Sequence, residues 1–310
     1  MTETVKILAI DVSKDRLDCY AAASGEEFDV ENSPAGRSEL VRRCRKLATQ
    51  AVVEATGGYE RATVADLCDA GISVRLVDPR RVRLFARASG LWAKNDRLDA
   101  RAIAAFASAV PGQERRSDPA QEVLAELMRY RRQLIAAQVS LANQARTLGD
   151  KELQRLTKRR IEMLKLQIIR IDVRIEQHIS SAQGLAEKAR ILLSIPGVGP
   201  VLCAALLGQV PELGQLGRRE IASLAGVAPR DNDSGKRRGP RSIYGGRPEI
   251  RTILYMAALT AARRNPGLAA FRDRLIKAGK KPKVAIVAVM RKLVVLANAL
   301  LRDNRTFAPA

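Results

Sequence analysis

Histidine is nearly absent from this 310-residue chain, with His178 the single example. A hydrolase triad needs an imidazole beside its nucleophile, and His178 falls in a long amphipathic segment far from any nucleophile candidate, so its expected role is structural. The four cysteines, Cys19, Cys44, Cys68 and Cys203, are scattered without a Cys-x-x-Cys pair. Zinc and disulfide frameworks are therefore not expected, and a reducing cytoplasm fits best. The opening Met-Thr-Glu-Thr leads straight into a strand-like segment, without the basic region and apolar core of a signal peptide. The longest late apolar run, Val284 to Leu301, is broken by Arg291 and Lys292, which predicts a buried or DNA-facing helix rather than a membrane span. Acids are also scarce, 33 against 54 Lys and Arg, leaving a formal charge of +21.

Apolar material is plentiful at 46%, which excludes disorder for most of the chain. The length suggests about two domains at ~150 residues each. A charge of +21 predicts a polyanionic partner, either nucleic acid or an anionic membrane surface. Its distribution is uneven. Residues 1–110 carry 17 basic and 16 acidic side chains, residues 111–190 carry 16 and 10, and residues 191–310 carry 21 and 7, for net charges of +1, +6 and +14. A near-neutral part that holds metal, joined to a basic part that holds phosphates, would produce this division. A solvated basic face is the plain alternative.

Residues 1–110 alternate strand and helix signals. Val5 to Ile10 is a short apolar run ending at Asp11, with Leu17 to Ala23 and Glu27 to Val30 as hairpin partners. Ser33 caps a helix from Pro34 to Leu47; Ala51 to Val53 reads as a buried strand, Tyr59 to Ala70 as a helix, and Ile72 to Val77 as another strand. Helices over Pro79–Ser89 and Arg97–Ala109 complete an α/β plan around a mixed sheet. Pro111 to Pro119 reads as a linker. Beyond it, Leu127, Leu134, Leu141 and Leu148 recur every seven residues, and Leu164, Ile168, Ile171 and Ile175 at steps of four and three. Two long helices turning at Gly149-Asp150 follow, packed as a coiled coil or within a helical bundle. The last part is mainly helical, with Pro196-Gly197-Val198-Gly199-Pro200 between two apolar segments. That arrangement is either a helix-hairpin-helix whose backbone N–H groups hold a phosphate or a plain Gly turn.

Four acids form the first chemical constellation. Asp11 ends the first strand, Glu54 ends a central strand, and Asp96 and Asp99, three apart, share a face where a helix opens. Carboxylates at neighbouring strand ends facing an acidic helix start supply the hard oxygen ligands that Mg²⁺ takes, leaving positions for phosphate oxygens. Singly, each has a structural reading: Asp96 as an N-cap, Asp99 as a helix-dipole partner, Glu54 at a loop entry and Asp11 in a turn. The second constellation is the Gly- and Arg-rich stretch Pro229 to Arg241, followed by Tyr244-Gly245-Gly246-Arg247 and a helix from Pro248. Without further context it reads as a phosphate-binding loop containing an incidental Ser234.

The strand order and acids of residues 1–110 resemble the ribonuclease H-like domain of RuvC-type resolvases. More narrowly, Ala9 to Lys14, Val53 to Tyr59 and Lys94 to Ala100 look like the DEDD transposases of bacterial insertion sequences, a group that also includes a pilin-gene-inverting DNA invertase. Ile195 to Gly199 and Leu224 to Arg230 extend the likeness over nearly the whole chain. The resemblance implies a RuvC-like DEDD domain at 1–110, linker and coiled-coil helices at 111–190, and a transposase domain at 191–310. It further implies Mg²⁺ held by Asp11, Glu54, Asp96 and Asp99, a serine nucleophile at Ser234, a bridge RNA that chooses target and donor DNA, and a homo-oligomer, either dimer or tetramer, in the bacterial cytoplasm with the nucleoid. Arg230, Lys236, Arg237, Arg238, Arg241, Arg247, Arg251, Gly197 and Gly199 are the expected nucleic-acid contacts, with Arg247 standing where the family has a Lys. The competing readings are a site-specific invertase, a nuclease using the carboxylates alone, and a non-catalytic nucleic-acid-binding protein.

Overall fold

A computed structural model of the chain describes residues 6–48, 50–90, 96–112, 118–233, 239 and 241–308, with only the backbone of residues 96–98. The chain divides into two compact units, Met1–Asp118 and Pro119–Ala310.

In the first unit, β1 (Ile7–Val12), β2 (Arg16–Ala21) and β3 (Glu26–Glu31) form an antiparallel meander. The chain continues through α1 (Pro34–Leu47), β4 (Gln50–Glu54), α2 (Glu60–Asp69) and β5 (Ser73–Val77), then α3 (Pro79–Ala88) and α4 (Asp96–Ala109). Because β4 and β5 return by helical crossovers, β4 pairs parallel to β1 and β5 parallel to β4, giving the sheet order β3-β2-β1-β4-β5. Alternation then assigns the two faces. Leu8, Ile10 and Val53 pack against Leu40 and Cys44 of α1 and Val64 and Leu67 of α2. Ile7, Ala9, Val52 and Val77 pack against Val82 of α3 and Ile103, Phe106 and Ala107 of α4. A sheet covered on both faces explains why the central strands read as unbroken apolar runs. The expected cap at Ser33 is present, its side chain accepting from the Gly36 N–H.

Arg75, buried in β5, anchors α4. Its guanidinium donates to the carbonyls of Ala107 (2.9 Å) and Val110 (2.6 Å) at the helix C-terminus, where a cation also complements the helix dipole. Arg75→Ala leaves both carbonyls without these donors, and at about 1.5–3 kcal/mol per charge-assisted bond the unit should lose roughly 2–5 kcal/mol. Urea unfolding of the full chain checks this, and an unchanged midpoint would contradict it.

The second unit opens with the long helices α5 (Pro119–Ala145) and α6 (Lys151–Ser181), joined near the expected turn; Asp150 caps α6 by accepting from Glu152 and Leu153 N–H. Arg131 and Asp172 form a two-bond ion pair across the hairpin at 2.5 and 3.2 Å. His178 contacts the Ala120 carbonyl through Nε2 at 2.7 Å, the structural role expected for it. The hairpin falls in the same compact unit as the helices that follow it. Leu124, Leu127, Met128 and Ile175 enter the same core as the helices that follow, because four buried apolar side chains need an apolar partner and those helices supply it. Those helices are α7 (Gln183–Leu193), α8 (Pro200–Gln209), α9 (Arg218–Leu224), α10 (Pro248–Arg264), α11 (Pro266–Lys277) and α12 (Pro282–Arg302), with a two-stranded ribbon of β6 (Pro229–Arg230) and β7 (Ser242–Ile243) between α9 and α10.

By length and composition α12 could cross a membrane, but Val289, Met290, Leu293, Val294, Ala297 and Leu300 all lie in the core of the unit. This is the buried helix expected from the Arg291-Lys292 interruption. Asn298 is buried on it too, donating to the Leu216 carbonyl and accepting from the Gly214 N–H, both at 2.8 Å.

Candidate active site

Sheet register decides where the strand acids meet. Ile10 pairs with Val53 in the parallel β1–β4 ladder, so the next residues, Asp11 and Glu54, stand side by side on the face that carries Ala9 and Val52. That is the face covered by α4, the helix bearing Asp99. Burial pushes the Glu54 carboxyl up to about 7, with Asp11 and then Asp99 adding to the rise by repulsion. Two of the other expected acids therefore act on Glu54. Asp96 opens α4, and its side chain lies outside the described residues.

The register extends the row further than the sequence reading did. Asp11 faces Asp18 across β1–β2, and Asp18 faces Asp29 across β2–β3, so Glu54, Asp11, Asp18 and Asp29 occupy four adjacent strands on one face. The signal was available: a hairpin turning at Ser13 to Asp15 places Asp18 opposite Asp11. Asp18 is buried and held by Arg16 through two bonds, Nε at 3.1 Å and Nη2 at 2.9 Å, which offsets one charge of the row. A cavity of about 210 Å³ opens beside it, lined by Asp18, Glu27, Asp29 and Ala100 among others.

The loop after Glu54 is fixed by another residue missed from sequence. Glu60 is buried, and its Oε2 accepts from the backbone N–H groups of Thr56 (3.0 Å) and Gly58 (2.9 Å). Two backbone donors on one carboxylate hold the chain where it leaves the strand, and with it the Glu54 side chain.

In the second unit, α7 and α8 enclose the Pro-Gly turn. Gly197 adopts φ +100°, and a Cβ there would run into Ala261 of α10, so only glycine allows the turn to pack so closely. Gly199 is the N-cap of α8, with open space around its Cα. The arginine-rich stretch springs from the β6–β7 ribbon. Arg241 pairs with Asp231 at 2.6 Å, both largely exposed, and Asp233 accepts from the Gly239 N–H. Ser234, Lys236, Arg237 and Arg238 lie outside the described residues. Arg247 and Arg251, expected on phosphates, have partners within the protein. Arg247 grips Glu212 through both terminal nitrogens (2.8 and 2.7 Å) and also donates to the Gln209 carbonyl, while Arg251 donates to the carbonyls of Gly245 and Gly226. Forked guanidinium geometry suits such clamps better than a lysine would.

Residues 8–166 match the DEDD transposase family of the IS110 type, described as Transposase, and residues 189–273 match the family described as Transposase IS116/IS110/IS902 family. The chain belongs to the IS110-type DEDD transposase family. The transposase is 27% identical to the pilin gene-inverting protein of Moraxella bovis over 97% of both chains, and 28% identical to that of Moraxella lacunata over 83% of this chain and 81% of the other. It is also 35% identical to an uncharacterized 44.8 kDa protein of insertion element IS116 from Streptomyces clavuligerus, over 46% of this chain and 37% of that protein.

This is thus a DNA transposase, an enzyme of strand cleavage and transfer acting on DNA, and DEDD transposases use a divalent metal. Among the described residues, no group of three or more His, Cys, Asp or Glu side chains is arranged to enclose a metal ion. Enclosure is not what Mg²⁺ in phosphoryl transfer requires. It takes one or two carboxylates and fills its remaining positions with water and substrate oxygens. The all-oxygen pair Asp11 and Glu54, with Asp99 near enough to raise Glu54, fits that demand.

A pH dependence follows. With Glu54 raised to about 7, a divalent ion must displace a proton below that pH and none above it. Mg²⁺ affinity should climb, by up to about tenfold per pH unit, from pH 5 to about 7 and then level off. Titration calorimetry in buffers of different ionisation heat measures the proton released, and a flat affinity between pH 5 and 8 would contradict this.

Proposed function

We propose that this transposase cuts and rejoins DNA through a phosphoserine intermediate at a composite site, with Asp11, Glu54, Asp96 and Asp99 holding Mg²⁺ in a RuvC-like domain and Ser234 as nucleophile. The observation that supports it best is the electrostatic meeting of Glu54, Asp11 and Asp99 beneath α4, a concentration of negative charge that a divalent cation offsets. When bound, Mg²⁺ supplies charge neutralisation at the oxygens of the scissile phosphate. The chain's own groups do the rest. Asp11 and Glu54 are fixed by the sheet, and Asp99 by a helix that Arg75 anchors. The Ser234 oxygen forms a bond to phosphorus as its proton leaves, the bond from phosphorus to the deoxyribose oxygen breaks, and that oxygen takes up a proton. The link preserves the phosphodiester's energy, so rejoining needs no nucleotide cofactor. Arg230, Lys236, Arg237, Arg238 and Arg241 offset the charge that develops on phosphate.

The α7–α8 turn, with Gly197 and Gly199, acts as a helix-hairpin-helix on DNA phosphates. The long α5–α6 hairpin brings copies of the chain together as a coiled coil, so that one protomer's acids and another's serine share a site in a dimer or tetramer. An element-encoded bridge RNA selects the DNA by base pairing, and the enzyme works on nucleoid DNA in the cytoplasm. A second reading, a site-specific invertase, is favoured by relatives named pilin gene-inverting proteins that match over 97% and 83% of the chain.

Strand exchange on a supercoiled plasmid carrying the element's ends tests both readings. Mg²⁺-dependent joining of ends to a new target, requiring the RNA, is the expected result. RNA-independent inversion between ends on one plasmid would favour the invertase, and no strand cleavage under any condition would overturn catalysis altogether.

A further inference from the structure

The ribbon at the root of the arginine-rich stretch presents an aromatic ring that the reaction does not use. Aromatics make up 4% of the chain, and Tyr244 is the most exposed aromatic among the described residues, at 58%. It follows β7 directly. The guanidinium of Arg230, on β6, lies over its ring with the carbon 4.8 Å from the centroid, and Arg230 also reaches Ser223 Oγ at 3.5 Å. A ring stacked on a guanidinium and still more than half exposed is polarised and open for a second stacking partner.

The backbone beneath the ring is unusually constrained for an exposed loop. Gly246 adopts φ +64°, and a Cβ on it would strike the backbone of Gly226 and Leu224, so the Tyr-Gly-Gly turn sits directly on the end of α9. Arg247 N–H donates to the Leu224 carbonyl at 2.8 Å, and Arg251 to the Gly245 carbonyl at 2.8 Å. The ring thus stands on a fixed base and loses little freedom when something stacks on it. It stands in the part of the chain with a net charge of +14.

We infer that Tyr244 and Arg230 form a stacking platform for one unpaired nucleobase, of DNA or RNA. The inference rests on the nucleic-acid reading above and names the ligand it adds: a base outside a duplex, taken by its π-face rather than by its hydrogen-bonding edge. A duplex, whose bases are stacked on each other, offers no such face.

Fluorescence anisotropy with the full chain tests it, using a short single-stranded DNA, the same sequence as single-stranded RNA, and the corresponding DNA duplex. Tyr244→Ala should weaken one or both single-strand complexes about 5- to 100-fold while changing duplex binding by less than about twofold. Tyr244→Trp, with a larger π-face, should bind single strands as tightly as the native chain or more so. The arm that weakens tells whether the base belongs to DNA or RNA. Unchanged single-strand binding by Tyr244→Ala, or an equal loss on the duplex, would overturn the platform while leaving nucleic-acid binding intact. A native chain that binds none of the three would overturn both readings. Because the ring is exposed, a native circular dichroism spectrum is expected for both variants.

Discussion

Asp11→Asn should lower the rate of DNA strand cleavage by roughly 10³-fold, corresponding to the several kcal/mol that metal-assisted charge stabilisation contributes to phosphoryl transfer. The side chain keeps its size and its place near the end of β1, but loses the negative charge that stands next to Glu54 just beyond the last pair of the β1–β4 ladder. The same variant should also shift Glu54. Asp11 repulsion is the second cause of the raised Glu54 carboxyl, after burial, so removing it moves that group down from about 7 toward its usual value. A carboxyl raised on folding destabilises the native state above its unfolded pKa, most fully above the folded one. Lowering it therefore makes Asp11→Asn as stable as the native chain, or more so, near pH 8. Loss of cleavage with stability retained separates a catalytic role from a structural one. Single-turnover cleavage and urea unfolding on the same preparation measure the two, and an Asp11→Asn chain that cleaves normally would remove the acid row from the mechanism.

Ser234→Ala has the larger expected effect. In the phosphoserine mechanism proposed above, removing the attacking oxygen prevents the covalent intermediate, and strand transfer should fall by about 10⁴-fold or more, to the level of the uncatalysed background in the assay. Groups that act as one unit are not additive when removed, so the double variant with Asp11→Asn should be no slower than Ser234→Ala alone. DNA binding should persist, since the arginines and the Tyr244 platform are untouched. If Ser234→Ala still cuts at the native rate while Asp11→Asn does not, the carboxylates act alone and water is the nucleophile.

Most of the first unit was legible because its signals are local. Ser33 before Pro34, Gly71 after α2, and the short Val- and Ile-rich runs fix elements without reference to the rest of the chain. The acids Asp11 and Glu54 were visible as strand-terminal residues, but their adjacency needed the parallel register of β1 on β4, which no local pattern encodes. Asp18 and Asp29 are mid-strand acids in segments that read as ordinary polar faces; the turn at Ser13 to Asp15 sets Asp18 opposite Asp11, and the β2–β3 ladder brings Asp29 into line with them. Arg75 and Glu60 were missed because a charged residue in sequence looks solvated. Each is buried here by hydrogen bonds to backbone groups, Ala107 and Val110 for one and Thr56 and Gly58 for the other.

The second unit was harder to read. The seven-residue spacing of α5 indicates a helix with an apolar stripe but not its partner; of that stripe Leu127 enters the core of the unit, with Leu124 and Met128 beside it. Helix α6 keeps Met163, Leu166, Ile169 and Val173 exposed on a second stripe that the sequence reading did not separate from the first. The short ribbon of β6 and β7 has too few residues for any alternation to show. Arg247 and Arg251 look like phosphate contacts in a basic sequence, yet Glu212 and the carbonyls of Gly226 and Gly245 claim them, partners set by tertiary packing.

Trapping the protein–DNA intermediate shows whether the two constellations act on one phosphate. Wild-type chain is mixed with cognate RNA, Mg²⁺ and a nicked substrate that cannot rejoin, then digested with protease and mapped by mass spectrometry. The expected result is a nucleotide attached to the peptide containing Ser234, absent without Mg²⁺ and absent in Asp11→Asn. Cleaved DNA with free ends and no modified peptide, or an adduct on any other residue, would contradict it.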